Sequence, residues 1–212
     1  MMTRFREPVN GFTHLAGVVL GCAGLVWLVL VTRDEPAKLI SVLVYGICVI
    51  LLYSASTTFH LVKGSERTVL LLRRLDHAAI YLMIAGTYTP IVYNTLDGAW
   101  RWGVLLLVWL LAATGILYKL LFLKGQGSHF STLLYMGMGW VGIITLPEAL
   151  RLLHPGALLL ILAGGLTYSV GALVFALQRP NLHRWFGHHE LWHLFVLGGS
   201  ALHFAAIVLY VV

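Results

Sequence analysis

The sequence predicts an all-α membrane protein, a bundle of seven transmembrane helices with its amino end inside the cell and its carboxyl end outside. Three observations predict it. Hydrophobic residues make up 59% of the 212 and charged residues only 10%, with a mean hydropathy of +0.88, whereas an ordinary soluble domain carries roughly 25% charged residues. The apolar runs reach the ~20 residues that one helical crossing of the hydrocarbon needs, and a helix satisfies its own backbone groups there. The lysines and arginines fall unevenly on the two sides of those runs.

The first span is expected at 12–32. Its apolar run is too long for a signal-peptide core and has no evident small-residue cleavage site, so it is read as a helix of the protein. Gly17 and Gly21 form a GxxxG, at most a mark of close helix packing. The polar RDEPAK at 33–38 leads to a second span at 38–62. Cys22 and Cys48 fall inside these two spans as small buried hydrophobes, not as disulfide or zinc partners.

KGSERTVLLLRR at 63–74 precedes a third span at 76–95, and TLDGAWR at 95–101 precedes a fourth at 101–123. KGQGS at 124–128, RLLHP at 151–155 and QRPNLHRWFGHH at 178–189 separate a fifth span at 130–150, a sixth at 156–178 and a seventh at 190–212. Pro90 and Pro147 predict kinks in spans three and five, where neighbouring helices can satisfy the freed carbonyls. No loop is long enough for a further domain and no repeat is evident, so 1–212 reads as a single seven-span domain.

Orientation follows from Lys and Arg alone. The amino-end side carries Arg4, Arg6, Lys63, Arg67, Arg73, Arg74, Lys119, Lys124, Arg179 and Arg184, and the opposite side Arg33, Lys38, Arg101 and Arg151. Ten against four places the amino end inside, in a multi-pass protein of the cell membrane. The pI of about 9.6 then reflects anchoring near anionic lipid. The basic residues are too dispersed for a nucleic-acid stripe, so membrane lipids are the expected partners and nucleic acid is not.

The informative residues are polar groups that hydrocarbon should exclude. Span two ends SASTTFH, with Ser56 and His60 one turn apart on one face. Asp76 opens span three, and HELWH opens span seven with His189 and His193 four apart, the spacing that lets two imidazoles share a metal. Chain parity puts the end of span two and the starts of spans three and seven on one membrane side, so these residues share a depth. Three neutral imidazoles suit Zn²⁺ and leave a fourth position for water, as in catalytic zinc sites. Each residue also has a plainer reading: His60 as an interfacial histidine, Ser56 bonded to the carbonyl at i−4, Asp76 capping its helix or pairing with Arg73. Their joint coincidence at one depth favours the zinc site.

EPVNGFTH at 7–14, the Ser-x3-His of Ser56 and His60, Asp76 sixteen residues later and the HxxxH of His189 and His193 together resemble the bacterial haemolysin III proteins. These are similar to the progestin and adipoQ receptors, which include the adiponectin receptors. The resemblance covers nearly the whole chain. It implies seven helices with the amino end inside, zinc held by His60, His189 and His193, Asp76 binding or orienting the zinc water, and Ser56 behind it. It also implies lipid amidases of the ceramidase type among the relatives. Zinc can lower the pKa of a bound water toward ~7 and polarise a carbonyl. With Asp76 and Ser56 as catalytic residues, the leading expectation is a zinc-dependent hydrolase of membrane lipid amides near the cytoplasmic face.

Two rivals stand beside it. HELWH is literally HExxH, the zincin string, which would make Glu190 a general base. A zincin-like carboxylate ligand after His193 is missing, because Glu190 is the last acidic residue and the LDG at 96–98 falls on the opposite face. Glu190 is better read as a charge favoured at a helix amino terminus. The other rival is a non-enzymatic lipid sensor or haemolysin-like pore in which zinc only ties helices together.

Of the other histidines, His203 lies ten residues past His193, about 15 Å along a helix, too far for the same ion. It is expected to bond Ser200 or a neighbouring helix. His77 and His188 are expected to point away from the site, and His129, His154 and His183 to lie in loops. Glu7, Asn10 and His14 belong to a segment expected to pack beneath the site from the cytoplasmic side.

Overall fold

The structure is a computed structural model and describes residues 5–122 and 129–212. The loop expected at 124–128, with Lys124, and Arg4 lie outside them. Helices follow one another as α1 (Pro8–Thr32), α2 (Pro36–Leu61), α3 (Glu66–Thr95), α4 (Gly98–Phe122), α5 (His129–Gly139), a 3₁₀ segment (Trp140–Thr145), α6 (Leu146–Leu152), α7 (Pro155–Leu177) and α8 (His188–Tyr210). No β-strand occurs among the described residues, and the chain makes seven helical passes. Pro8, Pro36, Pro147 and Pro155 each stand in the first turn of a helix, where the missing N–H costs nothing and the fixed φ suits the turn.

Six passes are long and apolar enough to cross a membrane: α1, α2, α4, the 132–152 run through α5 and α6, α7 and α8. Leu20 and Trp27 on α1, Leu110 and Leu121 on α4, and Leu159 and Leu173 on α7 are exposed, as lipid-facing residues should be. The remaining pass, α3, is the inner helix. From Asp76 to Thr95 none of its residues is exposed. It supplies Ala79 and Met83 to one buried cluster with α1, α2 and α8, and Tyr81, Ala85 and Val92 to another with α4 and α5. Enclosure by protein explains how α3 carries polar groups that lipid would penalise.

Sequential helices pack most extensively, α1 on α2, α2 on α3, α3 on α4 and α7 on α8, while α8 also meets α1. The GxxxG serves α1 against α2. A Cβ on Gly17 would come within 2.6 Å of the Tyr53 ring, and one on Gly21 within 3.1 Å of Val49. Only glycine allows that approach. Deeper in the bundle, the Tyr53 hydroxyl donates to Ser200 Oγ at 2.6 Å, and the Tyr168 hydroxyl lies 2.9 Å from the same oxygen. One serine thereby joins α2, α7 and α8.

Three expectations need correction. Helix α3 begins at Glu66, ten residues before Asp76, because Ser65 caps it by accepting from Thr68 N at 3.3 Å and the charged turns that follow remain helical outside the apolar stretch. Asp76 is therefore interior to the helix and does not cap it. The fifth pass is broken into α5, the 3₁₀ segment and α6, with Pro147 in the first turn of α6. Tyr88 of α3 repairs the interruption, donating to Gly139 O and accepting from Gly142 N, both at 2.7 Å. Neighbouring helices satisfy backbone groups in this way at membrane depth. By contrast, α3 continues through Pro90. His129, expected in a loop, begins α5.

Seven passes put the two ends of the chain on opposite sides. A reporter fused after Val212 should be active only outside the cytoplasm, and one inserted in the 63–65 turn only inside. Both reporters active on the same side would overturn the topology, and both reversed would overturn the Lys and Arg rule as applied here.

Candidate functional site

Three imidazoles meet where α2 ends and α8 begins. His60 is in the last turn of α2, and His189 and His193 occupy successive turns of α8. Their ring centroids stand 5.0 Å apart for His60 and His189, 4.8 Å for His60 and His193, and 5.1 Å for His189 and His193. One nitrogen of each lies within 4.8 Å of the others, so the three could hold a metal ion. Donors at ~2.1 Å from one tetrahedral ion stand roughly 3.4 Å apart, so the imidazoles would draw closer together around an ion.

The hydrogen bonds fix which nitrogens are available. His60 Nδ1–H donates to Glu7 Oε2 at 2.5 Å, and its Nε2 is buried with no partner. His193 Nδ1 lies 3.1 Å from the Asn10 carbonyl, which only accepts, so Nδ1 carries the proton and Nε2 keeps a lone pair. His60 and His193 are 0% and 2% exposed, and the His60 Nε2 lone pair has neither solvent nor a protein donor. Buried acceptors left without donors cost on the order of 1–3 kcal/mol each, a cost that coordination removes. The donor set thus fits a metal on the chain's own geometry.

Asp76 stands beside this cluster, electrostatically coupled to Ser56, and the two line one cavity. Ser56 Oγ is also 2.8 Å from His14 Nδ1. Either atom of that contact can donate, according to which imidazole tautomer His14 adopts. His14 stacks on His193, centroids 3.7 Å apart at 15°. The expectation that Ser56 bonds back to its own helix is replaced by this contact between α1 and α2.

A cavity of about 180 Å³ opens from the cluster. Its walls include Leu52, Ile80, Met83, Ile84, Met136 and Val196. It follows α8 from His189 to His203, about 20 Å at the helical rise. On the other side, His189 borders a polar cleft of about 460 Å³ with Glu7, Asn10, Asn181 and Glu190. The cluster lies between an apolar chamber and a polar opening.

The neighbouring residues divide clearly. His188 points away and donates to Asn181 Oδ1 at 2.8 Å, and Glu190 Oε2 accepts from Gly187 N at 2.8 Å, capping α8. His203 sits at the far end of the cavity, with Nε2 3.1 Å from the Ile161 carbonyl of α7. His77 departs from expectation. It lines the cavity beside Asp76 and accepts from Lys119 Nζ at 3.3 Å. Lys119 itself is fully buried in the last turn of α4, although its charge counted as interfacial.

Sequence reasoning underrated the amino-terminal segment. Glu7, Asn10 and His14 all touch the cluster, and their spacing of three and four residues, one helical face, was the available signal. Burial acts to raise the Glu7 carboxyl, but the hydrogen bond from His60, with the Arg6 guanidinium beside it, holds it below its ordinary value. Glu7 is thus a carboxylate at neutral pH.

Residues 2–204 match the family described as haemolysin-III related. The chain belongs to the haemolysin III family. It is 38% identical to Hemolysin-3 of Bacillus cereus over 99% of this chain and 94% of that protein. It is 36% identical to a Hemolysin-3 homolog of Bacillus subtilis (strain 168) over 100% and 97%. A more distant relative, the heptahelical transmembrane protein ADIPOR3 of Oryza sativa subsp. japonica, is 32% identical over 74% of this chain and 43% of its own length. This haemolysin III protein is accordingly a multi-pass membrane protein akin to the adiponectin receptor group.

Proposed function

We propose that this protein is a zinc-dependent hydrolase of membrane lipid amides, ceramidase-like in its substrate class. One observation carries the reading: Asp76, Ser56, His189 and His193 line a mainly apolar cavity, and His60 clusters with the two histidines. Such a cavity suits a lipid acyl chain and leaves the carbonyl it bears among the polar groups. His60, His189 and His193 would hold zinc, since three neutral imidazoles with an open fourth position make a catalytic donor set. When bound, zinc supplies Lewis acidity and brings the pKa of a water in its sphere toward ~7.

The remaining roles fall to the chain's own residues. Asp76 accepts the proton of the attacking water as that water's oxygen bonds the amide carbonyl carbon. Ser56, held by His14, keeps the Asp76 carboxylate turned toward the site. As the carbon–nitrogen bond breaks, Asp76 returns the proton to the leaving amine, giving a fatty acid and an amine. The polar cleft beside His189 supplies water from the side away from the acyl chain.

A second reading, a sensor or haemolysin-like pore with structural zinc, has one observation in its favour: all three imidazoles come from only two helices, α2 and α8. The name of the Bacillus relatives points the same way. Purified protein incubated with ceramides and other N-acyl lipids discriminates. Hydrolysis predicts fatty acid release that stops on chelation and returns with added zinc. Release from no lipid in the panel, or release unaffected by chelation, would overturn the proposal.

A further inference from the structure

The amino-terminal turn grips His60 twice. Glu7 N–H donates to the His60 carbonyl at 2.9 Å, and Glu7 Oε2 takes the His60 Nδ1–H at 2.5 Å. The carboxylate is itself pinned. Asn10 Nδ2 reaches Oε2 at 3.5 Å, and Arg6 Nε lies 3.4 Å from Oε1. Arg6 is held in turn over the Phe59 ring, 4.1 Å from its centroid. The same segment holds the second imidazole, because the Asn10 carbonyl accepts from His193 Nδ1.

An imidazole can bind a metal through either nitrogen, and a free side chain at the end of a helix samples both tautomers and several rotamers. A carboxylate on Nδ1–H removes that freedom. It fixes the proton on Nδ1, turns Nε2 inward and makes the ring a stronger donor. The buried, unpartnered Nε2 of His60 is the nitrogen this arrangement leaves for coordination.

We propose that Glu7 is a positioning residue for the metal: its carboxylate sets the tautomer and orientation of His60, with the Asn10 carbonyl doing the same for His193. The proposal rests on the assignment of His60, His189 and His193 as ligands. It gives residues 7–14 a task that composition and membrane topology do not require. Proline at position 8 starts α1 at this point, so the helix begins with Glu7 already across the end of α2.

The test uses the full-length protein in lipid nanodiscs and measures zinc affinity by competition with a chromophoric chelator. Glu7→Ala should weaken zinc binding roughly 10–100-fold, the range for loss of a partner behind a metal-ligating histidine. Glu7→Gln keeps an oxygen that can accept the Nδ1–H, so it should recover most of the affinity. Cobalt substitution supplies a readout that simple loss of packing would not move: the visible bands of Glu7→Ala should shift, and those of Glu7→Gln should match wild type. His60→Ala, run alongside, should lose the metal. Wild-type affinity and an unshifted cobalt spectrum in Glu7→Ala would overturn the positioning role while leaving the ligands intact. Wild-type affinity in His60→Ala would instead overturn the metal assignment. If Glu7→Ala does not fold, Glu7→Gln decides: retained metal with matching bands supports the proposal, and loss of metal as complete as in His60→Ala refutes it.

Discussion

Purified His60→Ala, His189→Ala and His193→Ala proteins should each carry only a small fraction of the wild-type zinc. Removing one of three protein ligands leaves the ion more hydrated and weakly held, and the loss should exceed the roughly 10–100-fold caused by removing an outer partner. The three are not equivalent in their side effects. His60→Ala also strips the Glu7 carboxylate of its hydrogen-bond donor, and His193→Ala removes the ring on which His14 stacks. His189 lies between the cavity and the polar cleft, so its removal should disturb packing least. Metal analysis by mass spectrometry, with absorption at the zinc edge for the ligand set, checks the result. His203→Ala is the control, ten residues along α8 and about 15 Å away, and should keep its zinc. Full occupancy in all three single variants would remove these residues from the metal site.

Asp76→Asn should keep the fold and abolish most turnover. Asparagine has nearly the same shape and its oxygen can still accept from Ser56, but it cannot take a proton from water. Loss of a positioned general base lowers rates by typically 10²–10⁴-fold, and fatty acid release from the best N-acyl lipid should fall in that range. Zinc must be measured in the same samples, because a carboxylate near a metal also affects its affinity. A variant that hydrolyses lipid as fast as wild type at equal zinc content would exclude Asp76 as the base. If wild type releases nothing while His60→Ala still alters the membrane phenotype of the cell, the sensor becomes the better account.

Much of the site was legible because helical spacing is a local property. Ser56 with His60 and His189 with His193 are each four residues apart, and counting passes put both pairs on one membrane side with Asp76. The structure brings Ser56, Asp76, His189 and His193 to one cavity and sets His60 against the two histidines. The start of α3 was also written in the chain, in Ser65 followed by Glu66, but it lies outside the apolar window by which spans are recognised. The break in the fifth pass had only Pro147 as a sign, and Pro90 gave the same sign in a helix that continues through it. What distinguishes the two is not local, since Tyr88 of α3 is there to satisfy Gly139 and Gly142.

The sequence by itself determined that the chain is a helical membrane protein, where its passes run and which polar residues share a depth. The bilayer imposes those features one segment at a time, through the length and hydropathy each crossing needs. Only the tertiary structure decided that Glu7 bonds His60, that His14 stacks on His193 and bonds Ser56, and that Lys119 is buried against His77. These contacts join residues far apart in the chain. Within lipid, helices are held together by packing and hydrogen bonds rather than by a hydrophobic pattern, so their choice of neighbours leaves little periodic trace in the sequence.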